Sequence, residues 1–246
     1  MNAVKPPVVH RGDVYPDWQS AREASGGYAT EEIFIKTRNA ARAVRDGKAL
    51  WERDSVCFHH EEYHFPLLAA LMSAAAWNGG RLHVLDFGGA LGSTYGQHRP
   101  VLDKLEDVSW NIVEQPHVAA CGREEFGNDR LRFWTSMEEC GAATAMDVML
   151  FSSVLQYLEN PYAVLEQAAA LRPAMILLAR TPFAETEEYI TVQHVPASIY
   201  SASYPCRWLD RNRVNGILEK QYRLLPDFST HIDPPGFLGF AAARKG

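Results

Sequence analysis

The residues best suited to chemistry lie in one run, Val84-Leu85-Asp86-Phe87-Gly88-Gly89-Ala90-Leu91-Gly92-Ser93. An apolar strand enters a turn in which glycines let the backbone approach a ligand closely. The helix that follows offers free N–H groups and the positive end of its dipole. Two ligands compete for such a turn: a dinucleotide pyrophosphate and the amino-acid end of S-adenosylmethionine. The dinucleotide fingerprint is GxGxxG, and the run Gly88-Gly89-Ala90-Leu91-Gly92 does not meet it. An acidic residue at the strand end suits a cationic, ammonium-bearing ligand instead. Glu114 stands 28 positions after Asp86, at the end of the next strand, where a carboxylate can accept hydrogen bonds from both ribose hydroxyls of a nucleoside. A glycine pair after a strand is often only a tight connection, and a strand-end Glu is often a helix cap. The order strand, loop, helix, strand makes the two together specific.

Positioning these residues calls for a parallel sheet with helices between its strands. Arg81–Phe87 reads as the first strand, followed by a helix to about Leu105. Val108–Glu114 is a second strand, His117–Phe126 a helix, Leu131–Trp134 a third strand and Asp147–Ser152 a fourth. Pro161–Leu171 reads as a helix, Ala174–Ala179 as a fifth strand, Trp208–Lys220 as a helix, and Tyr222–Phe228 and Gly236–Ala243 as closing strands. Apolar runs separated by helices are the pattern of a parallel sheet covered on both faces. Upstream, Ile33, Phe34, Ala40, Ala41 and Val44 keep helical spacing, with a start at Thr30-Glu31-Glu32 and a stop at Gly47. A further helix begins near Pro66 and ends at Gly79-Gly80. Residues 1–30 read as an extended lead-in anchored by Trp18 and Tyr28, and Thr181–Pro205 as an aromatic, proline-bearing insertion after the fifth strand.

The 246 residues are 47% hydrophobic and 22% charged, enough for a buried core. A net charge of −6 without a basic stripe excludes a nucleic-acid surface; Arg207, Arg211 and Arg213, interrupted by Asp210, read as a solvated helix face. Cys57, Cys121, Cys140 and Cys206 form no CxxC pair, so reduced thiols are expected rather than disulfides or a zinc site. The N-terminus lacks the apolar stretch of a signal peptide, and Leu67–Trp77 is too short to span a bilayer. The expectation is a cytoplasmic protein with no membrane span, with a small-molecule partner and with homo-oligomerisation left open.

Beyond the glycine turn, the chain resembles a family of bacterial class I methyltransferases often encoded with surface-polysaccharide genes. The residues that carry the resemblance are Glu52-Arg53-Asp54-Ser55-Val56, Tyr63 with Pro66-Leu67-Leu68-Ala69, Val84–Tyr95, Trp110–Gln115, Ser152–Leu158 and Val192–Pro205. It implies an α/β, Rossmann-like sheet of seven strands in the order 3-2-1-4-5-7-6, the last antiparallel, with helices on both faces. It also implies S-adenosylmethionine as cofactor. Asp86, Gly88, Gly89 and Gly92 would form the methionine-end loop, and Glu114 with Gln115 the ribose clamp. Ser136 and Met137 would flank the adenine, Ser152 and Ser153 would face the sulfonium, and Tyr63 would reach the cofactor from a lid. Where an acidic residue is expected before Arg180-Thr181-Pro182, this chain has Ala179. The implied organisation is a lead-in and helical lid over residues 1–65, then the methyltransferase domain over 66–246 with a cap inserted at about 182–206.

Methyl transfer is an in-line displacement that needs a held and aligned acceptor, and an oxygen acceptor needs a base. Many small-molecule methyltransferases place a His after the fourth strand; here that run reads Leu155-Gln156-Tyr157. The candidate bases are therefore His194 and His64, although a lone His is more often structural. Gln156, Tyr157, Gln193, Tyr200 and Tyr204 are the candidate substrate wall, the tyrosines offering flat faces suited to a ring such as a sugar; a loop that only covers the sheet edge is the plain alternative. His60-Glu61-Glu62-Tyr63-His64 matches HExxH, but Pro66 would clash with the carbonyl of Glu62 in a continuing helix, so no zinc site is expected there; no carboxylate cluster suggests another metal, and a metal requirement stays open. The expected function is methyl transfer to a hydroxyl or amine of a small polar molecule, with a saccharide or nucleotide-sugar as first guess. Its rivals are a non-catalytic cofactor-binding subunit and a nucleotide-dependent dehydrogenase.

Overall fold

The computed structural model describes residues 13–27, 31–196, 199, 201–230 and 233–246; Tyr28, Thr30 and Tyr200 lie outside the described residues. Helices α1 (Trp18–Glu23) and α2 (Glu31–Arg45) lead into the short strands β1 (Trp51–Arg53) and β2 (Val56–Phe58), then α3 (Phe65–Trp77). The alternating body follows: β3 (Arg81–Phe87), α4 (Ser93–Leu102), β4 (Asp107–Val113), α5 (Pro116–Glu125), β5 (Leu131–Trp134), α6 (Met137–Ala143), β6 (Val148–Ser152), α7 (Pro161–Ala170) and β7 (Met175–Pro182). The chain closes with β8 (Tyr189–His194), β9 (Ser203–Trp208), α8 (Arg211–Leu218), β10 (Tyr222–Leu224) and β11 (Phe237–Arg244).

Seven strands form one sheet in the order β10-β11-β7-β6-β3-β4-β5. Strands β5, β4, β3, β6 and β7 pair in parallel, and β11 runs antiparallel to both β7 and β10. This is the implied order 3-2-1-4-5-7-6. The central strands are apolar on both faces because helices cover both. Leu82, Val84, Leu150 and Leu177 pack with Leu67 and Leu71 of α3 on one side. Leu85, Met149, Phe151 and Leu178 pack with Leu165 of α7 and Val214 of α8 on the other. Burying a large apolar side chain completely contributes about 2 kcal/mol, and β3, β6 and β7 each carry several fully buried apolar residues. That rigid centre holds the strand ends from which the glycine turn departs.

Several local elements differ from the sequence expectation. The insertion after β7 is an antiparallel hairpin, β8 against β9, and Trp208 ends β9 instead of opening a helix. Tyr204, Cys206 and Trp208 alternate onto a buried face, and Asp210 then caps α8 by accepting from Asn212 N (2.8 Å) and Arg213 N (3.3 Å). Of the arginines nearby, Arg213 is exposed as expected, whereas Arg207 and Arg211 are half-buried. Arg207 pairs with Glu188, Arg211 with Asp227 (2.6 Å), and Arg213 lies 3.9 Å over the Tyr162 ring. Helix α4 stops at Leu102, short of Leu105. Helix α6 arises from a cap, because Ser136 Oγ accepts from Glu139 N (3.0 Å) while the Glu139 carboxylate accepts from Thr135 N (3.2 Å).

The β1–β2 hairpin turns through Asp54 (φ 51°) and Ser55 (φ 67°). Two consecutive left-handed residues make the tight turn that matches strand twist. At the N-terminus, Tyr15 N donates to Ile190 O (2.9 Å) and Gly27 N to Ser203 O (2.9 Å), so the lead-in clasps the β8–β9 hairpin. Ala21 of α1 is buried against Ile190 and Val192. All four cysteines are free thiols. Among the described residues no helix is long and apolar enough to cross a membrane.

Candidate functional site

The glycine turn begins where β3 ends. Gly88 is left-handed (φ +71°), and a Cβ there would lie 2.4 Å from a methyl of Val154. A Cβ on Gly89 would lie 2.6 Å from the Asp86 carboxyl. Only glycine lets the backbone fold back over that carboxylate. Ala90 follows with φ 51°, and its N–H donates to Glu114 Oε1 (3.2 Å). Gly92 N donates to Gly89 O (3.0 Å), and α4 starts at Ser93.

Asp86 is 1% exposed. Its Oδ2 accepts from Trp110 Nε1 (3.0 Å), and its Oδ1 is buried without a partner. Burial, with the charge of Glu114 adding to it, raises the Asp86 carboxyl from 3.8 to about 7 against the opposing Trp110 bond. Glu114, directly after β4, is also raised by burial. Its Oε2 accepts from Gln115 N (2.8 Å). Each of its oxygens therefore has one protein donor and a lone pair to spare.

A cavity of about 100 Å³ opens beside this turn, bounded by Gly88, Gly89 and Ala90 and by Ser152 and Ser153 at the end of β6. Glu52, Arg53 and Asp54 of the β1–β2 hairpin close it from one side, Thr94 and His98 of α4 from another, and Arg180 at the end of β7 completes the rim. Four of its residues, Asp54, Ala90, Ser153 and Arg180, are non-glycine residues with positive φ. Such backbone strain gathers where surrounding structure holds a site in shape. A wider groove of about 500 Å³ lies on another face of α4, lined by Tyr95, Arg99 and Arg130 among others. It reaches neither Gly88 and Gly89 nor the ends of β6 and β7, and so is not the candidate.

The strand order and the turn at the end of β3 settle the architecture. The fold is that of the Rossmann-like class I methyltransferases. Among solved structures, the N-terminal domain of EvdMO1, crystallised with SAH and D-fucose, is similar at a TM-score of 0.51 and 16% identity, over 89% of this chain and 99% of that one. The 1,6-didemethyltoxoflavin-N1-methyltransferase of Burkholderia thailandensis gives a TM-score of 0.49 at 16% identity, over 89% and 92%. Magnesium protoporphyrin IX methyltransferase from Synechocystis PCC 6803 gives 0.47 at 13%, over 89% and 100%. No family model and no curated protein sequence matches the chain.

The other predicted residues are distributed as follows. Ser153 Oγ accepts from Gln156 Nε2 (3.1 Å), while Gln156 is fully buried with Oε1 unpartnered. Tyr157 donates to Gln193 Oε1 (2.8 Å) and its ring meets Tyr204 edge-on at 5.1 Å, so these three form a polar seam beneath the β8–β9 hairpin. Gln115 is the exposed residue before α5. Ser136 caps α6, and Met137 is buried among Leu85 and Met149. Tyr63 donates to Glu61 (3.3 Å) and leans on the His98 ring, 6.3 Å away. His194 is exposed at the end of β8.

His64 lines the cavity and is 3% exposed. Its Nδ1 accepts from Leu67 N (3.2 Å), capping α3, and its Nε2 lies 3.6 Å from Asp233 Oδ2. The segment from His60 to His64 is not helical, and His60 is exposed, so the two histidines do not share a helical face. Among the described residues no group of three or more His, Cys, Asp or Glu could hold a metal.

Sequence reasoning gave no role to Glu52, Asp233 or His98. Glu52 is 4% exposed, is bonded to Ser93 Oγ and keeps Oε2 unpartnered; burial raises it from 4.5 to about 7. His98 is driven down to about 4 by burial and stays neutral. The signal that could have found Glu52 and Arg53 is a charged pair placed in alternation with Trp51 just before a two-residue turn.

Proposed function

We propose that this chain is an S-adenosylmethionine-dependent methyltransferase acting on a hydroxyl or amine of a small polar molecule, with a saccharide or nucleotide-sugar as first candidate. The observation that carries this is the buried Asp86 carboxylate, with Oδ1 unpartnered beneath a turn only glycine can make. An unpaired buried carboxylate is costly, and an ammonium group would satisfy it. The residues present therefore fit the methionine end of the cofactor. The EvdMO1 domain holds SAH on the same fold, and the proposal extends that ligand to this chain.

In this reading Asp86 holds the ammonium, the backbone of Gly88 to Gly92 lies along the methionine end, and Glu114 accepts the ribose hydroxyls through its spare lone pairs, beside Gln115. Ser136 and Met137 border the adenine. Ser152 and Ser153 stand at the sulfur. Bound there, the cofactor supplies a methyl group on a sulfonium, open to in-line displacement. Gln156, Tyr157, Gln193 and Tyr204 wall the acceptor, and orientation is their main contribution. Of the two histidines proposed as base, His64 lies on the cavity, and it must release the Leu67 N–H before Nδ1 can take a proton. Residues 1–65 serve as lead-in and lid and residues 182–206 as cap, in a protein we place in the cytoplasm.

Isothermal titration with S-adenosylhomocysteine tests this. The expected result is a single site that Glu114→Ala weakens, with no heat from NAD. Silence with S-adenosylhomocysteine at high micromolar concentration would end the proposal.

A further inference from the structure

Two cationic side chains of the cavity are unused by the scheme above. Arg53 leaves β1 with its guanidinium over Trp51 (5.2 Å) and Phe58 (5.9 Å). Among the described residues no carboxylate comes within ion-pair distance of it. Burial, and then the charge of Arg180, bring its pKa down to about 10. Arg180, its side chain 15% exposed, has only loose partners: Nη2 is 3.5 Å from Asp54 Oδ2 and Nε is 3.9 Å from Asp233 Oδ1. A charge-assisted bond closes to about 2.8 Å.

The neighbouring carboxylates are partly engaged, Glu52 Oε2 and Asp233 Oδ1 staying buried without a hydrogen-bond partner. Asp233 accepts from Thr230 N (2.7 Å) and Oγ1 (2.9 Å) and faces His64. Glu52 is bonded to Ser93, and Asp54 is half exposed at the rim. Two guanidiniums lining one cavity, neither in a close ion pair despite carboxylates nearby, keep donors free for an anion that arrives from outside. Position separates that anion from the cofactor. Arg180 lies near the end of β7, two strands from β3 across β6, which is about 10 Å from the glycine turn at ordinary strand spacing. Ser152 and Ser153 lie between.

Resting on the methyltransferase reading, we propose that Arg53 and Arg180 clamp an anionic group of the methyl acceptor, a carboxylate or a phosphoryl group. The substrate is then an acid-bearing small molecule. The clamp holds it by its charge, next to the ends of β6 and β7, with the reacting atom turned towards the sulfur.

The test is calorimetric titration of S-adenosylhomocysteine-saturated protein with glucose 1-phosphate, glucuronate, glucose and, as a charge without a ring, inorganic phosphate. At least one anion should bind and glucose should not, and the preferred anion tells phosphoryl from carboxylate. Arg53→Gln and Arg180→Gln should each weaken that anion about tenfold or more while S-adenosylhomocysteine affinity stays within about threefold. Arg53→Lys should recover part of the loss, and unchanged melting temperatures certify the fold. Anions that bind no better than glucose overturn the clamp. So do variants that weaken S-adenosylhomocysteine in place of the anion, because the arginines would then serve the cofactor. If S-adenosylhomocysteine itself fails to bind, the methyltransferase reading falls separately, and the same anion titrations on the free protein still decide the clamp.

Discussion

Replacing Asp86 by Asn should make the ligand-free protein more stable and the liganded one weaker. Folded Asp86 keeps its proton up to about pH 7, whereas 3.8 is its ordinary value. Protons therefore favour the folded state, and each pH unit between those values removes about 1.4 kcal/mol of stability. By pH 8 the loss amounts to about 4 kcal/mol, and at pH 4 to about 0.5 kcal/mol. Asn keeps the acceptor for Trp110 Nε1 and has no charge to desolvate, so the variant escapes the loss. At roughly 2–4 °C per kcal/mol for a chain of this size, Asp86→Asn should melt about 10 °C above the wild type at pH 8 and a degree or two above it at pH 4. Glu52, raised in the same way, leaves a residual slope in both proteins. Binding should move oppositely, with S-adenosylmethionine affinity falling about tenfold or more once the ammonium loses its counter-charge. Differential scanning calorimetry from pH 4 to 8, with titration calorimetry at pH 8, reads both. A variant that melts below the wild type at pH 8, or binds undiminished, refutes the account of Asp86.

Three further outcomes are expected. Glu114→Ala should weaken S-adenosylhomocysteine by about 2 kcal/mol, some thirtyfold, as two ribose hydrogen bonds go; an unchanged dissociation constant places the ribose elsewhere. Gly89→Ala drives a methyl into the Asp86 carboxyl and should abolish binding, whereas Gly96→Ala, in α4 with nothing within 4 Å of the new Cβ, should hold or raise the melting temperature by up to about 1 kcal/mol equivalent. His64→Ala removes the α3 cap and should cost about 1 kcal/mol in urea unfolding, while His64→Asn retains most of it; equal losses would mean that the cap is not what His64 supplies to stability.

The central strands were legible because each is a continuous apolar run bounded by glycine, proline or a helix signal, and the glycine turn because its chemistry is contiguous. The rest of the cavity is not contiguous. Arg53, His64, Thr94, Ser153 and Arg180 come from separate segments, and no local pattern says that they meet. The β1–β2 hairpin was obscured by its length and by an Asp-Ser turn, where Asn-Gly is the usual mark. Helix α6 was in reach, since Thr135-Ser136 with Glu139 is a capping pattern. The β8–β9 hairpin was hidden because its buried face includes polar Thr191 and Gln193, which blur the alternation.

The clasp between the lead-in and the β8–β9 hairpin carries a consequence for how the chain comes together. Gly26 and Ser203, bonded there at 3.0 Å, are 177 positions apart. During synthesis the first turn of helix must wait, its apolar side uncovered, until most of the polypeptide has left the ribosome. Contacts of such long range close late and are slow to form. The same seam, far from the packed centre of the sheet, is where amide exchange and proteolysis should make their first breach.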